Sequence, residues 1–113
     1  MHELSIVMSI IETAEEQVKQ HHAQSVESID LVVGDLSGVE SHALDFAWAT
    51  SVKNTVLENA QKNIIHVTGK ARCLECDCEF TVKEIYDPCP ICGTNLLQIV
   101  QGKELQIKSM IIN

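Results

Sequence analysis

A chain of 113 residues, 45% of them hydrophobic, suffices for one domain-sized unit with a real core and a small appendage beside it. Sixteen acids against eight bases give a formal charge of −8. That field repels a phosphate backbone and an anionic membrane alike, so neither nucleic acid nor a membrane is an expected partner.

Within residues 4–19, Leu4, Val7, Met8, Ile11, Ala14 and Val18 fall at the spacing of one helical face, with Glu12, Glu15, Glu16 and Lys19 opposite. No basic residue precedes this run and its acids interrupt it, so it reads as neither a signal peptide nor a membrane span. The expectation is a cytoplasmic protein with Met1 present in the working molecule. A helix starting at the third or fourth residue leaves Met1 and His2 beyond the regular hydrogen-bond ladder. His2 can be read there as a frayed, solvated side chain or as a donor atom with a task. His21 and His22 sit where the helix should run out, and attraction to its C-terminus accounts for them.

Residues 26–36 alternate as a strand, with Ile29, Leu31 and Val33 on one face and Ser28 and Asp30 on the other, ending at Gly34-Asp35. Ser37 followed by Glu40 matches a capping box, which predicts a second helix from near residue 37 to about residue 52. Its stripe is Leu44, Ala47 and Trp48, with Phe46 a further candidate; Trp48 reads as core and His42 as exposed. Residues 54–62 read as a polar connection. Ile64, Ile65, His66 and Val67 then make a short β-rich run ending at Gly69, with His66 facing solvent. Leu105, Ile107, Met110, Ile111 and Ile112 predict a last strand, which has no core of its own and must return to the earlier sheet. The expected fold is α+β: two helices packed on a small three-stranded sheet, residues 1–68 and 103–113, with residues 69–102 inserted.

The insertion carries two Cys-x-x-Cys pairs, Cys73/Cys76 and Cys89/Cys92, twelve residues apart. A short turn between two cysteines aims both sulfurs at one point, and two such turns supply the four thiolates of a closed zinc site. In Cys89-Pro90-Ile91-Cys92-Gly93 the glycine stands where a tight metal-binding turn needs positive φ. Two disulfides could be written with the same residues. The odd count of five cysteines and the lack of a secretory signal favour metal. Cys78 is the extra thiol: Cys76-x-Cys78 could be drawn as the first pair, but spacing favours Cys73 and Cys76 and leaves Cys78 as a spare beside the site. A piece of roughly 30 residues is too small to hold itself together by apolar burial. Structural zinc supplies on the order of 10 kcal/mol of coupled folding free energy.

Four thiolates leave no open position for water, which argues against hydrolysis there. The chain also has no nucleophile elbow, phosphate-binding glycine loop or His-Glu-x-x-His helix. An enzyme is not expected. What remains is the start, Met1-His2-Glu3. A free amine, a deprotonated His2 main-chain nitrogen and the His2 imidazole can close adjacent chelate rings, and such planar nitrogen coordination suits Ni(II) or Cu(II) better than zinc. A fourth donor could come from Glu3, Glu40 or a receiving protein, and a carrier needs that kind of incomplete site.

Met1-His2-Glu3-Leu4-Ser5, the Gly34-Asp35-Leu36-Ser37 turn with Glu40 after it, the paired Cys-x-x-Cys insertion and the closing Lys108-Ser109-Met110 strand together resemble the HypA/HybF family of hydrogenase nickel-incorporation proteins. The resemblance covers essentially the whole chain. It implies nickel binding at His2, structural zinc on Cys73, Cys76, Cys89 and Cys92, and a non-catalytic role. It also implies partnership with a nickel-binding accessory GTPase (HypB-like) and delivery to the large subunit of [NiFe] hydrogenase, with urease maturation served by some members. Two rival expectations are a rubredoxin-like electron carrier, suggested by the second cysteine turn, and a zinc-ribbon interaction module with no second metal.

Overall fold

A computed structural model describes residues 2–113. The first helix, α1, spans Glu3–Gln20 and buries Val7, Ile11, Ala14 and Val18. That stripe is narrower than the sequence suggests, because Leu4 and Met8 remain 56% and 52% exposed. They flank the buried line and do not extend it. Past the last turn the His21 and Ala23 amides return to the carbonyls of Gln17 and Val18, which closes the helix with His22 at φ 53°.

Strand β1, Val26–Gly34, buries Ile29, Leu31 and Val33 as the alternation predicts, and Val32 as well. It stops at Gly34, where the Gly34-Asp35 pair marks its end in the sequence, and the Ser37 amide turns back to the Gly34 carbonyl at 3.0 Å. Helix α2, Ser41–Ser51, starts later than expected. Its cap is Glu40 itself, whose carboxylate accepts from the amides of His42 at 3.1 Å and Ala43 at 2.6 Å. The expected capping box from Ser37 is therefore replaced by an acidic side chain at the positive end of the helix. Leu44, Ala47 and Trp48 are buried, whereas Phe46 is 72% exposed and is not part of the core.

The connection after α2 is less polar than its sequence looks. Leu57 is fully buried within it, held by a turn in which the Thr55 hydroxyl donates to the Val52 carbonyl and accepts from the Leu57 amide. Strand β2 follows as Gln61–Val67, so residues 61 and 62 belong to the sheet and not to the connection. Lys62 from this strand pairs with Asp45 at 2.7 Å and lies 5.4 Å from the centre of the Trp48 ring. After three strands described below, the chain closes with β6, Leu105–Ile112. The sheet order is β2, β1, β6. At its centre the Asp30 carboxylate of β1 accepts from Asn63 of β2 at 2.8 Å and from Ser109 of β6 at 3.1 Å. Both helices contribute to one apolar core with this sheet, joining Val7, Ile29, Leu44, Trp48 and Leu57.

The chain divides into two compact units. The first comprises the chain up to Leu31, Val39–Ile65 and Gln106–Asn113; the second comprises Val32–Gly38 and His66–Leu105. The second unit has its own sheet, β3 (Lys70–Cys73) between β4 (Glu79–Thr81) and β5 (Leu97–Gln101), antiparallel to both. Arg72 stands opposite Glu79 in this sheet and pairs with it at 3.3 Å. Three successive amides tie both legs of the excursion together: Gly34 donates to Glu104, Asp35 to Val67, and Leu36 to Gly102, at 2.7, 2.9 and 2.7 Å. These passes lie so close that a Cβ on Gly34 would stand 1.9 Å from the Gly102 carbonyl oxygen.

Candidate metal centre

The two cysteine pairs fold into matching knuckles. Cys73 leads the first and Cys89 the second, and the residue just past each pair, Asp77 or Gly93, returns its amide to the leading carbonyl at 2.9 Å. Both of these residues are left-handed, at φ 62° and 75°. Glycine takes that conformation freely, while Asp is one of the few other residues that tolerate it. The leading sulfurs are buried and accept main-chain N–H groups: Cys76 donates to Cys73 and Ile91 to Cys89, each at 3.4 Å. The second cysteines, Cys76 and Cys92, are exposed, and all five cysteines are free thiols.

Among the described residues, Cys73, Cys76, Cys89 and Cys92 bring their sulfurs within 4.8 Å of one another. Across the knuckles Cys73 and Cys92 lie 3.5 Å apart, and Cys76 and Cys89 3.6 Å. Four sulfurs at about 2.3 Å from a tetrahedral zinc ion have edges of about 3.8 Å, so the cluster fits such an ion with little movement. Its electrostatics point the same way. Main-chain N–H groups of Cys92 and Ile91 hold the Cys89 thiol down at about 6, and those of Cys76 and Glu75 lower Cys73. At Cys76 the amide of Cys78 pulls downward, but the neighbouring Cys78 and Cys73 side chains outweigh it and push the thiol up to about 12. Cys92 rises to about 12 in the same way, with the Thr94 amide opposed first by Cys73. The leading thiols thus give up their protons readily, whereas Cys76 and Cys92 keep theirs until a cation takes up the charge.

Spacing alone finds the four cysteines. It does not reveal Asp77 as the counterpart of Gly93, although the position after each Cys-x-x-Cys pair was there to compare. Cys78 lies at the edge of the cluster, with its sulfur 3.3 Å from Cys76 and 3.6 Å from Cys89.

His2 belongs to the first unit. It is the N-cap residue of α1, in extended conformation at φ −85° and ψ 100°; its side chain makes no capping bond, and its carbonyl accepts from Ile6 at 3.3 Å. The exposed ring borders a groove of about 350 Å³ lined by Glu3, Leu4, Ala43, Phe46, Ala47 and Thr50. Met1, and with it the amine expected as a nickel donor, lies outside the described residues. Glu3 accepts the Glu40 amide at 3.1 Å, and that bond holds its carboxyl below the usual range. The two acids considered as a fourth donor are thus both engaged by main-chain amides, Glu3 by Glu40, and Glu40 by the start of α2.

Fold and site define a class: a small α+β protein with a four-cysteine centre, built from paired knuckles, that fits a metal ion. A family model described as hydrogenase/urease nickel incorporation, metallochaperone, HypA, matches residues 1–112. The chain belongs to the HypA family of nickel-incorporation metallochaperones. The hydrogenase maturation factor HypA of Parabacteroides distasonis is 42% identical over 112 residues, covering 99% of this chain and 97% of the relative. The Geobacter metallireducens factor is 38% identical over 110 residues, 97% of each chain. The solution structure of the Ni metallochaperone HypA from Helicobacter pylori superposes with a TM-score of 0.68 at 26% identity, over 99% of this chain and 97% of that one. No helix among the described residues is long and apolar enough to cross a membrane.

Proposed function

We propose that this protein carries Ni(II) on its N-terminus and, with a nickel-binding accessory GTPase, passes it to the large subunit of [NiFe] hydrogenase in the cytoplasm. It performs no catalysis of its own. In this reading residues 1–68 and 103–113 form the nickel-binding part, and residues 69–102 form an insertion held by zinc on Cys73, Cys76, Cys89 and Cys92. The family match from residue 1 onward carries the reading, because it takes in Met1-His2-Glu3 as well as both cysteine pairs. The exposed His2 side chain, at the N-cap of α1 and uncommitted to capping, supports it. Nickel is cargo and needs a site that can be left, which planar nitrogen donors at a chain end supply. Zinc stays with the insertion, since four thiolates close its coordination.

Titration of zinc-loaded, untagged protein with Ni(II), followed by absorption, tests the carrier role. One nickel per chain is expected. His2→Ala and residues added before Met1 should each weaken nickel binding strongly while zinc content holds. Equal binding by the extended protein would remove the amine from the donor set and require a site rebuilt around His2 and side chains. A second reading, a rubredoxin-like electron carrier, draws on the N–H···S bonds to Cys73 and Cys89, which iron would use as well as zinc. Purified protein that is red and holds one iron would establish that reading instead; colourless protein with one zinc is expected.

A further inference from the structure

Cys78 stands in the first knuckle where Thr94 stands in the second. Each lies five residues after the leading cysteine, and each carbonyl accepts that cysteine's amide at 2.9 Å. The knuckle itself therefore fixes the backbone at Cys78. Thr94 turns its hydroxyl to the chain, accepting the Leu96 amide at 3.2 Å. Cys78 instead brings its sulfur to 3.6 Å from Cys89, the same separation as between Cys76 and Cys89. Cys76 and Cys78 are thus equidistant from Cys89, although only Cys76 belongs to the four sulfurs that all lie within 4.8 Å of one another. The Cys76 and Cys78 sulfurs lie 3.3 Å apart, closer than the 3.5 and 3.6 Å between ligands that face each other across the knuckles, so the two contest a single vertex.

We propose that Cys78 is a reserve ligand of the metal centre, able to take the vertex that Cys76 otherwise fills. This rests on the zinc reading above. The contested vertex is that of Cys76 and not that of Cys89, because Cys89 is 2% exposed and its sulfur is held by the Ile91 amide, whereas Cys76 is exposed. Exchange leaves the charge of the centre unchanged. The incoming Cys78 sulfur gives its proton to solvent, and the departing Cys76 sulfur takes one up. The centre would thus keep four thiolates while an exposed ligand is off, and Cys78, half-buried, is better shielded than Cys76.

Cobalt substitution of the full chain tests this, since ligand-field and thiolate-to-cobalt bands report how many sulfurs bind. Wild-type, Cys76→Ser and Cys78→Ser proteins should each give a four-thiolate spectrum, and Cys76→Ser/Cys78→Ser a three-thiolate one. Competition with a chromophoric chelator should show the double variant holding zinc on the order of 100-fold more weakly than Cys76→Ser. A Cys76→Ser spectrum that matches the double variant overturns the proposal. Wild-type protein needs no folding of a variant: brief alkylation of its zinc form should place one label per chain, shared between Cys76 and Cys78. Labelling of Cys78 alone would also overturn it. Failure of wild-type protein to bind cobalt through four thiolates would instead sink the zinc reading and the proposal with it.

Discussion

A methyl group on Gly34 would meet the Gly102 carbonyl oxygen at 1.9 Å and its carbon at 2.2 Å, and both belong to backbone that cannot swing aside. Gly34→Ala should therefore cost more than about 3 kcal/mol, in the range reserved for frank steric conflict. Urea unfolding of the zinc-loaded protein would measure it; a change under about 1 kcal/mol would mean the passes separate easily. Gly93 presents the opposite case. Nothing lies within 4 Å of its added Cβ, so only the left-handed backbone resists substitution, and Gly93→Ala should cost about 1–2 kcal/mol. By the same reasoning Asp77→Gly relieves a strained residue and should leave zinc binding intact. At this scale the sequence was legible where chemistry fixes spacing, as with Cys73, Cys76, Cys89 and Cys92. It was opaque where spatial neighbours decide: the buried Leu57 sits among polar residues, and Leu4 and Phe46 look like core residues but are exposed.

Asp30 shows how one side chain can serve a whole sheet. Standing on the central strand, it holds Asn63 on one side and Ser109 on the other. The Asn63 bond first and the Ser109 bond second lower its carboxyl pKa from the ordinary 3.8. A depressed folded pKa contributes stability that is fully present above the unfolded value and disappears as pH falls through the folded one. Asp30→Ala should thus be less stable than wild type near neutral pH, and the difference should narrow below about pH 4. Denaturant midpoints at several pH values would show this, and a gap constant down to pH 2–3 would contradict it. Among the elements, α1, α2 and β1 were legible because their apolar periods are long, but α2 began late because Glu40, not Ser37, caps it. Strands β3, β4 and β5 were not distinguished at all. They are three to five residues long and are paired within the second unit, too short for a period to register.

For the whole molecule, a chelator should act unequally. If the four-cysteine centre holds zinc as proposed, removing it deprives the second unit of its coupled folding free energy, while the apolar core of Val7, Ile29, Leu44 and Leu57 should stay as it was. Hydrogen exchange should quicken first in β3, β4 and β5, and limited proteolysis should cut first within residues 70–102. First cuts within residues 2–31 or 39–60, which belong to the first unit, would refute this division of labour. The Gly34, Asp35 and Leu36 amides have a bearing on transplantation. They belong to a stretch far upstream, yet their acceptors are Glu104, Val67 and Gly102, at the two ends of the cysteine-bearing excursion. A piece cut at residues 66 and 105 and grafted to another host would carry the metal ligands but leave its two ends unclasped. Such a transplant should fray from the ends inward even with zinc bound, and a synthetic 32–38 peptide added in trans should be protected from exchange at those three amides.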